Sequence, residues 1–392
     1  MRREGQDIVF TWGPEGVIVT VKDISSGGRD GPRAEVWARD TIAGHLHAGM
    51  MNLLSTTSKH TFTKAVIARA PGTNWADIVE QFCVLAVEEY RAGEPLSLLV
   101  PEFRKGGRNY AVAPIVPMGL PTLLFGDGGC GKSYLALAIA RAIALGEPLA
   151  GMVAGELRPA YLDWEWDGPE HAERLYRLGG GDITLLYQSC HTSLASQVRA
   201  LGRKLDKEQV NFLIIDSLGL AAGGDPREPD VVLAFFRALR ELGRTALIVH
   251  HVPKDSKEPY GSVYIRNSVR SAWYMVRSQA RNDGEFLAAL RHRKTNFSGY
   301  EKDIGLRFRF TEDRTEIETT DARAVPELSD GAPLRQRIYD LLDDGGAIAA
   351  KDIATALDVP ASQVSVRLTE MKRSETVVNL SGAWALRSQR SQ

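Results

Sequence analysis

Glycines at 126, 128, 129 and 131 precede Lys132 and Ser133, so that Gly126-Asp127-Gly128-Gly129-Cys130-Gly131-Lys132-Ser133 satisfies GxxxxGK[ST] in full. Glycines let such a stretch curl until its backbone N–H groups face a phosphate chain, and the positive end of a following helix adds to the attraction. In that geometry Lys132 sets its ammonium on the β- and γ-phosphates, Ser133 ligates Mg²⁺, and Tyr134 opens the helix beside them. Cys130 fits there as a small filler rather than a nucleophile. The expected cofactors are ATP and Mg²⁺.

A phosphate loop of this type also needs an acid to hold the metal's water shell. Phe212-Leu213-Ile214-Ile215-Asp216-Ser217 supplies one, an apolar run ending in a carboxylate where ligands bind in parallel sheets. The plainer alternative is an Asp that only caps the next turn. Orienting an attacking water requires a further acid, and no second one follows Asp216. Glu165, in Ala160-Tyr161-Leu162-Asp163-Trp164-Glu165-Trp166-Asp167, is the candidate, with Asp163 and Asp167 competing. Glu165 ranks first because Asp163 falls within a strand and Asp167-Gly168-Pro169 reads as the turn into a helix.

The elements that must position these groups alternate. Apolar runs at 122–125, 160–164, 183–187, 212–216 and 246–250 are separated by helical patterns such as 134–145 and 229–242, which predicts a mostly parallel sheet with helices on both faces. Runs at 271–277, 286–294, 304–310 and 315–319 predict a β meander extending it. The fold class expected is α/β over residues 119–322. Before it, 1–100 reads as a small α+β module: a hairpin around Gly13–Gly16, a strand at 34–38, and a helix at 75–90 whose Ile78, Phe82, Val84, Leu85, Val87 and Tyr90 share an apolar stripe. Residues 101–118, rich in Pro, Gly and charge, read as a linker or a strap. In 333–388, helical patterns at 334–342, 350–356 and 361–371 precede a hairpin around Ser381-Gly382, which is the winged-helix order, with 361–371 in the recognition position. Ser362, Gln363, Ser365, Arg367, Lys372 and Arg373 give that helix a modestly basic face, suited to DNA or to protein.

The 392 residues hold 48 Lys and Arg against 49 Asp and Glu, a net charge of -1, so any nucleic-acid contact must rest on local patches. Cys83, Cys130 and Cys190 are too few and scattered for a disulfide framework or zinc cluster, and a reducing cytoplasm is expected. Met1 is followed by charged and polar residues rather than the apolar stretch of a signal peptide, and no run approaches a membrane span.

The set of motifs resembles the RecA-like P-loop ATPases, and within them the RepA-type hexameric replicative helicases of plasmids and their phage relatives. The residues that carry the resemblance are Tyr161-Leu162-Asp163-Trp164-Glu165, Leu213–Ser217, Ile248-Val249-His250-His251-Val252-Pro253-Lys254, and Gly261-Ser262 followed by Arg266 and Arg270, within about residues 116–310. The resemblance implies that His250 or His251 senses the γ-phosphate. Strand alternation can send only one of them to the nucleotide, and His251, next to the following loop, is slightly favoured. It also implies that Arg266 or Arg270 reaches a neighbouring subunit's nucleotide, though residues four apart on a helix equally describe a solvated face; Arg291, Arg293 and Lys294 form a second basic candidate. Two loops, 219–227 with Arg227 and 254–261 with Lys254, Lys257 and Tyr260, would face a channel for single-stranded DNA. A ring helicase, a homohexamer that translocates on DNA with replication or recombination partner proteins, is the function implied. A DNA-binding regulatory or loader ATPase and a filament-forming recombinase are the alternatives.

Overall fold

The structure, a computed structural model, describes residues 1–4, 7–93, 96–101, 109–181, 183–253, 258–278, 284–297, 299–322, 325 and 334–387. The chain divides into two compact units, Met1–Gly107 with Ser196–Val210, and Arg108–Ala195 with Asn211–Gln392.

In the first unit, strands β1 (Arg2–Glu4), β2 (Asp7–Trp12), β3 (Val17–Ser25), β4 (Arg33–Asp40) and β5 (Gly44–Asn52) form an antiparallel sheet in sequential order, joined by helices α1 (Thr56–Ile67) and α2 (Trp75–Ala92). The alternation in β3 buries Val17, Val19 and Val21 against the helices' apolar side. Helix α2 turns Trp75, Ile78, Val79, Phe82, Cys83, Ala86 and Val87 inward. The expected stripe is therefore displaced: Val84, Leu85 and Tyr90 are exposed, because a helical repeat begun at Trp75 returns at 78/79, 82/83 and 86/87. Most of α5 (Leu194–Lys207) groups with this unit, where Arg199 and Arg203 pair with Asp23.

In the second unit, β6 (Tyr110–Ala113), β7 (Val116–Pro117) and β9 (Val153–Ala154) make a small sheet in the order β7-β6-β9. Residues 110–117 were expected as linker; instead Ala111, Val112, Ile115 and Val116 are fully buried in the main core. The apolar positions outweigh the Pro and Gly signals around them. The main sheet has nine strands: β8 (Pro121–Gly126), β10 (Pro159–Asp163), β11 (Leu186–Ser189), β12 (Phe212–Asp216), β13 (Thr245–His251), β14 (Ser271–Arg277), β15 (Glu285–Thr295), β16 (Ile304–Phe310) and β17 (Thr315–Thr320). They lie in the order β11-β10-β12-β13-β8-β14-β15-β16-β17. The first six are parallel and the rest antiparallel. Every residue of β10 and β12 is buried, as sheet strands covered on both faces must be. Helices α3 (Lys132–Leu145), α4 (Gly168–Arg177), α6 (Leu218–Ala221), α7 (Pro229–Leu242) and α8 (Val263–Ser268) connect them. Strand β11 begins later than the sequence pattern suggested, at Leu186 rather than 183.

The tail contains helices Leu334–Gly345, Ala350–Ala356 and Ala361–Arg373, with β18 (Ile348–Ala349), β19 (Val377–Leu380) and β20 (Ala383–Leu386) in the order β18-β20-β19. Its own small core includes Ile338, Leu342, Ile353, Val364, Leu368, Met371 and Leu386.

Candidate active site

The loop between β8 and α3 is shaped by close approach. A Cβ on Gly126 would stand 2.2 Å from the Met275 carbonyl oxygen, and Gly131 sits at φ +100° with the Phe286 ring 2.9 Å from where its Cβ would be. Neither position tolerates a side chain. Lys132 is buried at 4% exposure, and its Nζ donates to the carbonyls of Gly126 at 3.0 Å and Asp127 at 2.7 Å. The ammonium is thereby folded against the loop's own carbonyls. Cys130 is buried beside it, and burial pushes its thiol up, against the opposing effect of Lys132.

Parallel register sets the acids. Strands β10 and β12 pair Asp163 with Asp216, and β13 and β8 pair His251 with Gly126, so the strand ends bring all of these to one edge of the sheet. Asp216 is 1% exposed; its Oδ2 accepts from the Tyr161 hydroxyl at 2.6 Å, while Oδ1 is buried with no hydrogen-bond partner among the described residues. Burial raises its pKa, opposed by the hydroxyls of Tyr161 and Ser133 and assisted by the Glu165 and Asp163 charges. A desolvated carboxylate with one unsatisfied oxygen beside Ser133 and the phosphate loop suits a cation. Among the described residues no group of three or more His, Cys, Asp or Glu could hold a metal by itself. The chemistry therefore fits Mg²⁺ held by Ser133 and Asp216 together with a nucleotide's phosphates, as this ion prefers.

Glu165 lies beyond β10, and its Oε1 accepts from His251 Nε2 at 3.0 Å and from the Ser217 hydroxyl. The His251 bond is the chief reason its pKa lies below the ordinary value; burial opposes it, and Ser217 and the Lys132 charge add to the lowering. The two competing acids have other partners. Asp163 accepts the backbone N–H groups of Glu165 and Trp166 and is held by His171 and Tyr187. Asp167 caps α4 by accepting from Glu170 N–H.

The two histidines diverge as strand alternation requires. His251 points to Glu165, its side chain 42% exposed. His250 is 1% exposed, and its Nε2–H donates to the Tyr260 carbonyl at 2.7 Å. Burial holds its pKa down, at about 4.

A cleft of about 420 Å³ joins these groups, lined by Gly129, Gly131, Lys132, Ser133, Tyr134, Glu165, Trp166, Arg174, His251, Arg277, Phe286 and Phe310. Several of them carry no local sequence signal. Arg277 donates to the Gly129 carbonyl at 3.2 Å and lies 4.1 Å over the Phe286 ring; Arg174 lies over Tyr134 at 4.8 Å and Trp166 at 4.4 Å. Tyr161 and Ser217 were visible only as neighbours of the acids they serve.

Arg266 and Arg270 stand outside the cleft lining. The shared helix side expected for them does not exist, because α8 ends at Ser268 and Val269 is extended (φ −80°, ψ 157°), leaving Arg270 at the entrance to β14. The second basic set meets them there: Arg266 and Arg293 both pair with Glu258, and Lys294 Nζ donates to the carbonyls of Arg266 at 2.6 Å and Asn267 at 3.2 Å. Burial, then the charges of Arg270 and Arg266, lowers the pKa of Lys294. Arg291 belongs elsewhere, in a buried pair with Asp303 at 2.8 Å. Arg227 pairs with Asp225, and Lys254 and Lys257 lie outside the described residues.

Residues 102–257 match the AAA domain family. That stretch contains the phosphate loop, Glu165, Asp216 and both histidines, and the strand of Asp216 is separated from the loop's strand by β13 alone. The match supports a P-loop ATPase domain over that stretch. No curated protein shows significant sequence similarity to the chain. Among solved structures, the chain is similar to a KaiC-like protein from Pyrococcus horikoshii, at 16% identity and a TM-score of 0.41 over 55% of this chain and 99% of that one. The flagellar accessory protein FlaH from Methanocaldococcus jannaschii gives 18% identity and a TM-score of 0.38 over 53% and 92%. Among the described residues no helix is long and apolar enough to cross a membrane.

Proposed function

We propose that this protein binds ATP with Mg²⁺ in the cleft and hydrolyses it, using Glu165 to orient and deprotonate the attacking water. The observation that carries this reading is the convergence of Glu165, Lys132, Ser133 and His251 on one cleft, with the buried Asp216 carboxylate beside Ser133. Water attacks the γ-phosphorus, the bond to the ADP oxygen breaks, and Glu165 takes the water's proton. Lys132 neutralises phosphate charge, and Mg²⁺ held by Ser133 and Asp216 would stabilise the negative charge that remains. The test is turnover by the purified protein with ATP and Mg²⁺, compared with Lys132→Ala. Absence of nucleotide-dependent turnover in the wild type would sink the reading.

The wider reading is a cytoplasmic ring helicase of the RepA type: a homohexamer working on single-stranded DNA in replication or recombination, with His251 as the γ-phosphate sensor. It is supported by the His251–Glu165 bond and by the gathering of Arg266, Arg270, Arg293 and Lys294, which suits an arginine finger offered to a neighbour. The Tyr260 turn is tied to His250 and His251, and Ser262 N–H to the Pro226 carbonyl at 2.8 Å, so the two candidate DNA loops share an anchor. Stimulation of ATPase by single-stranded DNA, with closed rings in electron micrographs, is expected. Extended helices would instead point to a recombinase.

The second reading, a regulatory or loader ATPase that binds duplex DNA, is favoured by the tail, whose three helices and hairpin follow winged-helix order and carry Arg367, Lys372 and Arg373 on one helix. Duplex footprinting without strand separation would select it.

A further inference from the structure

Glu165 stands two residues past the end of β10, one beyond the last bond to the neighbouring strand, from Trp164 N–H to the Asp216 carbonyl at 2.6 Å, yet its carboxylate must meet the cleft to act. Beyond that bond the backbone N–H groups of the turn are taken up by one side chain. Asp163, 1% exposed, accepts the backbone N–H of Glu165 at 2.9 Å and of Trp166 at 3.2 Å on Oδ1. Its Oδ2 accepts from the Tyr187 hydroxyl at 3.0 Å and from His171 Nε2 at 2.9 Å. The donors come from β11 and α4, so the carboxylate is fixed from two neighbouring elements while it holds the turn. The ring of Tyr161 packs 4.6 Å from that of His171.

Asp163 and its register partner Asp216 are therefore used in opposite ways. Asp216 has an unsatisfied oxygen, whereas each oxygen of Asp163 already has two donors from the protein. A carboxylate saturated in this way has little capacity left for metal or water. We propose that Asp163 is a positioning residue that aims Glu165 into the cleft by folding the 163–166 turn, with His171 and Tyr187 as its supports. This rests on the reading of Glu165 as the acid that orients the attacking water.

The same four bonds explain the choice of Asp. Its short side chain reaches back to N–H groups two and three residues on, as in an Asx turn, and a charged acceptor strengthens all of the bonds at once. Glu in its place would be too long to close the turn. Small displacements of a catalytic group cost on the order of 10²-fold in rate.

The experiment uses the full chain with ATP and Mg²⁺, reading kcat, KM and the affinity for a fluorescent ATP analogue. Asp163→Ala is expected to lower kcat about 10- to 100-fold with nucleotide affinity within about twofold of wild type. Asp163→Asn keeps the Oδ1 acceptor for both N–H groups and is expected to recover most of the rate. The double variant Asp163→Ala/Glu165→Gln should be no slower than Glu165→Gln, because a residue acting only through Glu165 has nothing left to position. Wild-type kcat in Asp163→Ala, loss of affinity with kcat retained, or additive losses in the double variant would each overturn the proposal. If circular dichroism shows Asp163→Ala unfolded, Tyr187→Phe carries the test: a kcat about threefold lower at unchanged affinity supports the proposal and an unchanged kcat overturns it. Failure of the underlying reading looks different, since Glu165→Gln would then turn over as fast as the wild type.

Discussion

His251 Nε2 donates to Glu165 Oε1 at 3.0 Å across the edge of the sheet, joining the end of β13 to the turn beyond β10. The Ser217 hydroxyl converges on the same oxygen. Glu165 is thus tied both to the strand that ends beside the phosphate loop and to the residue after Asp216. Its acidity and its aim both depend on contacts at that one atom.

Glu165→Gln should retain nucleotide binding and lose about 10²- to 10⁴-fold in turnover, the usual span for removing an acid-base group. Lys132→Ala should lose both binding and turnover. Fluorescent-analogue titration and phosphate release assays separate the two, and wild-type rates in Glu165→Gln would remove it from the mechanism.

The pH profile should respond to His251. Because its bond is the main cause of the depressed Glu165 pKa, His251→Ala lets that pKa rise, and the group stays protonated to a higher pH. The acid limb of kcat is expected to move toward neutrality in the variant. An unmoved limb would mean that another group controls it.

Removal of Mg²⁺ with a chelator should stop turnover reversibly. In Asp216→Asn the Mg²⁺ concentration for half-maximal activity should rise by roughly tenfold or more, since one ligand-supporting charge is lost. Equal Mg²⁺ dependence in variant and wild type would count against Asp216.

Acid should destabilise the fold through two buried imidazoles. The pKa values of His250 and His292 are both held down at about 4 by burial, against an ordinary 6.5. The unfolded chain therefore takes up protons first, so their contribution is intact above about 6.5 and is lost as pH falls toward about 4. Chemical denaturation across that window should show a slope that His292→Gln makes shallower.

If Arg270 acts on a neighbour's nucleotide, Arg270→Ala and Lys132→Ala should each be inactive alone, yet a mixture should regain activity. An interface that joins the loop of an Arg270→Ala subunit to the finger of a Lys132→Ala subunit then has both intact. No recovery on mixing would restrict Arg270 to its own subunit.

Much of the candidate site was legible because it is local. The phosphate loop needs only consecutive residues: glycines where Met275 and Phe286 approach, then a lysine and a serine at the helix start. Asp216 and Glu165 were legible as strand ends, since an apolar run that stops in an acid says where the chain leaves the sheet. The hairpin at Gly13–Gly16 and helix α7 were equally local. Residues 110–117 misled because Pro114, Pro117 and the glycines flanking the segment hid an apolar core.

What the sequence determined by itself was the set of groups and the chemistry open to them: a phosphate loop, a candidate metal-supporting acid, a candidate base and a pair of histidines. Tertiary structure decided which of them meet. Glu165 and His251 are 86 residues apart, and Tyr161 and Asp216 are 55 apart. Their contacts depend on strand order and register, and these come from packing the whole sheet rather than from any one segment. The same packing saturated Asp163, left an oxygen of Asp216 open, and sent His250 inward and His251 to the cleft. A short motif carries its own geometry in the backbone, whereas a contact between strands is fixed only when the sheet is complete.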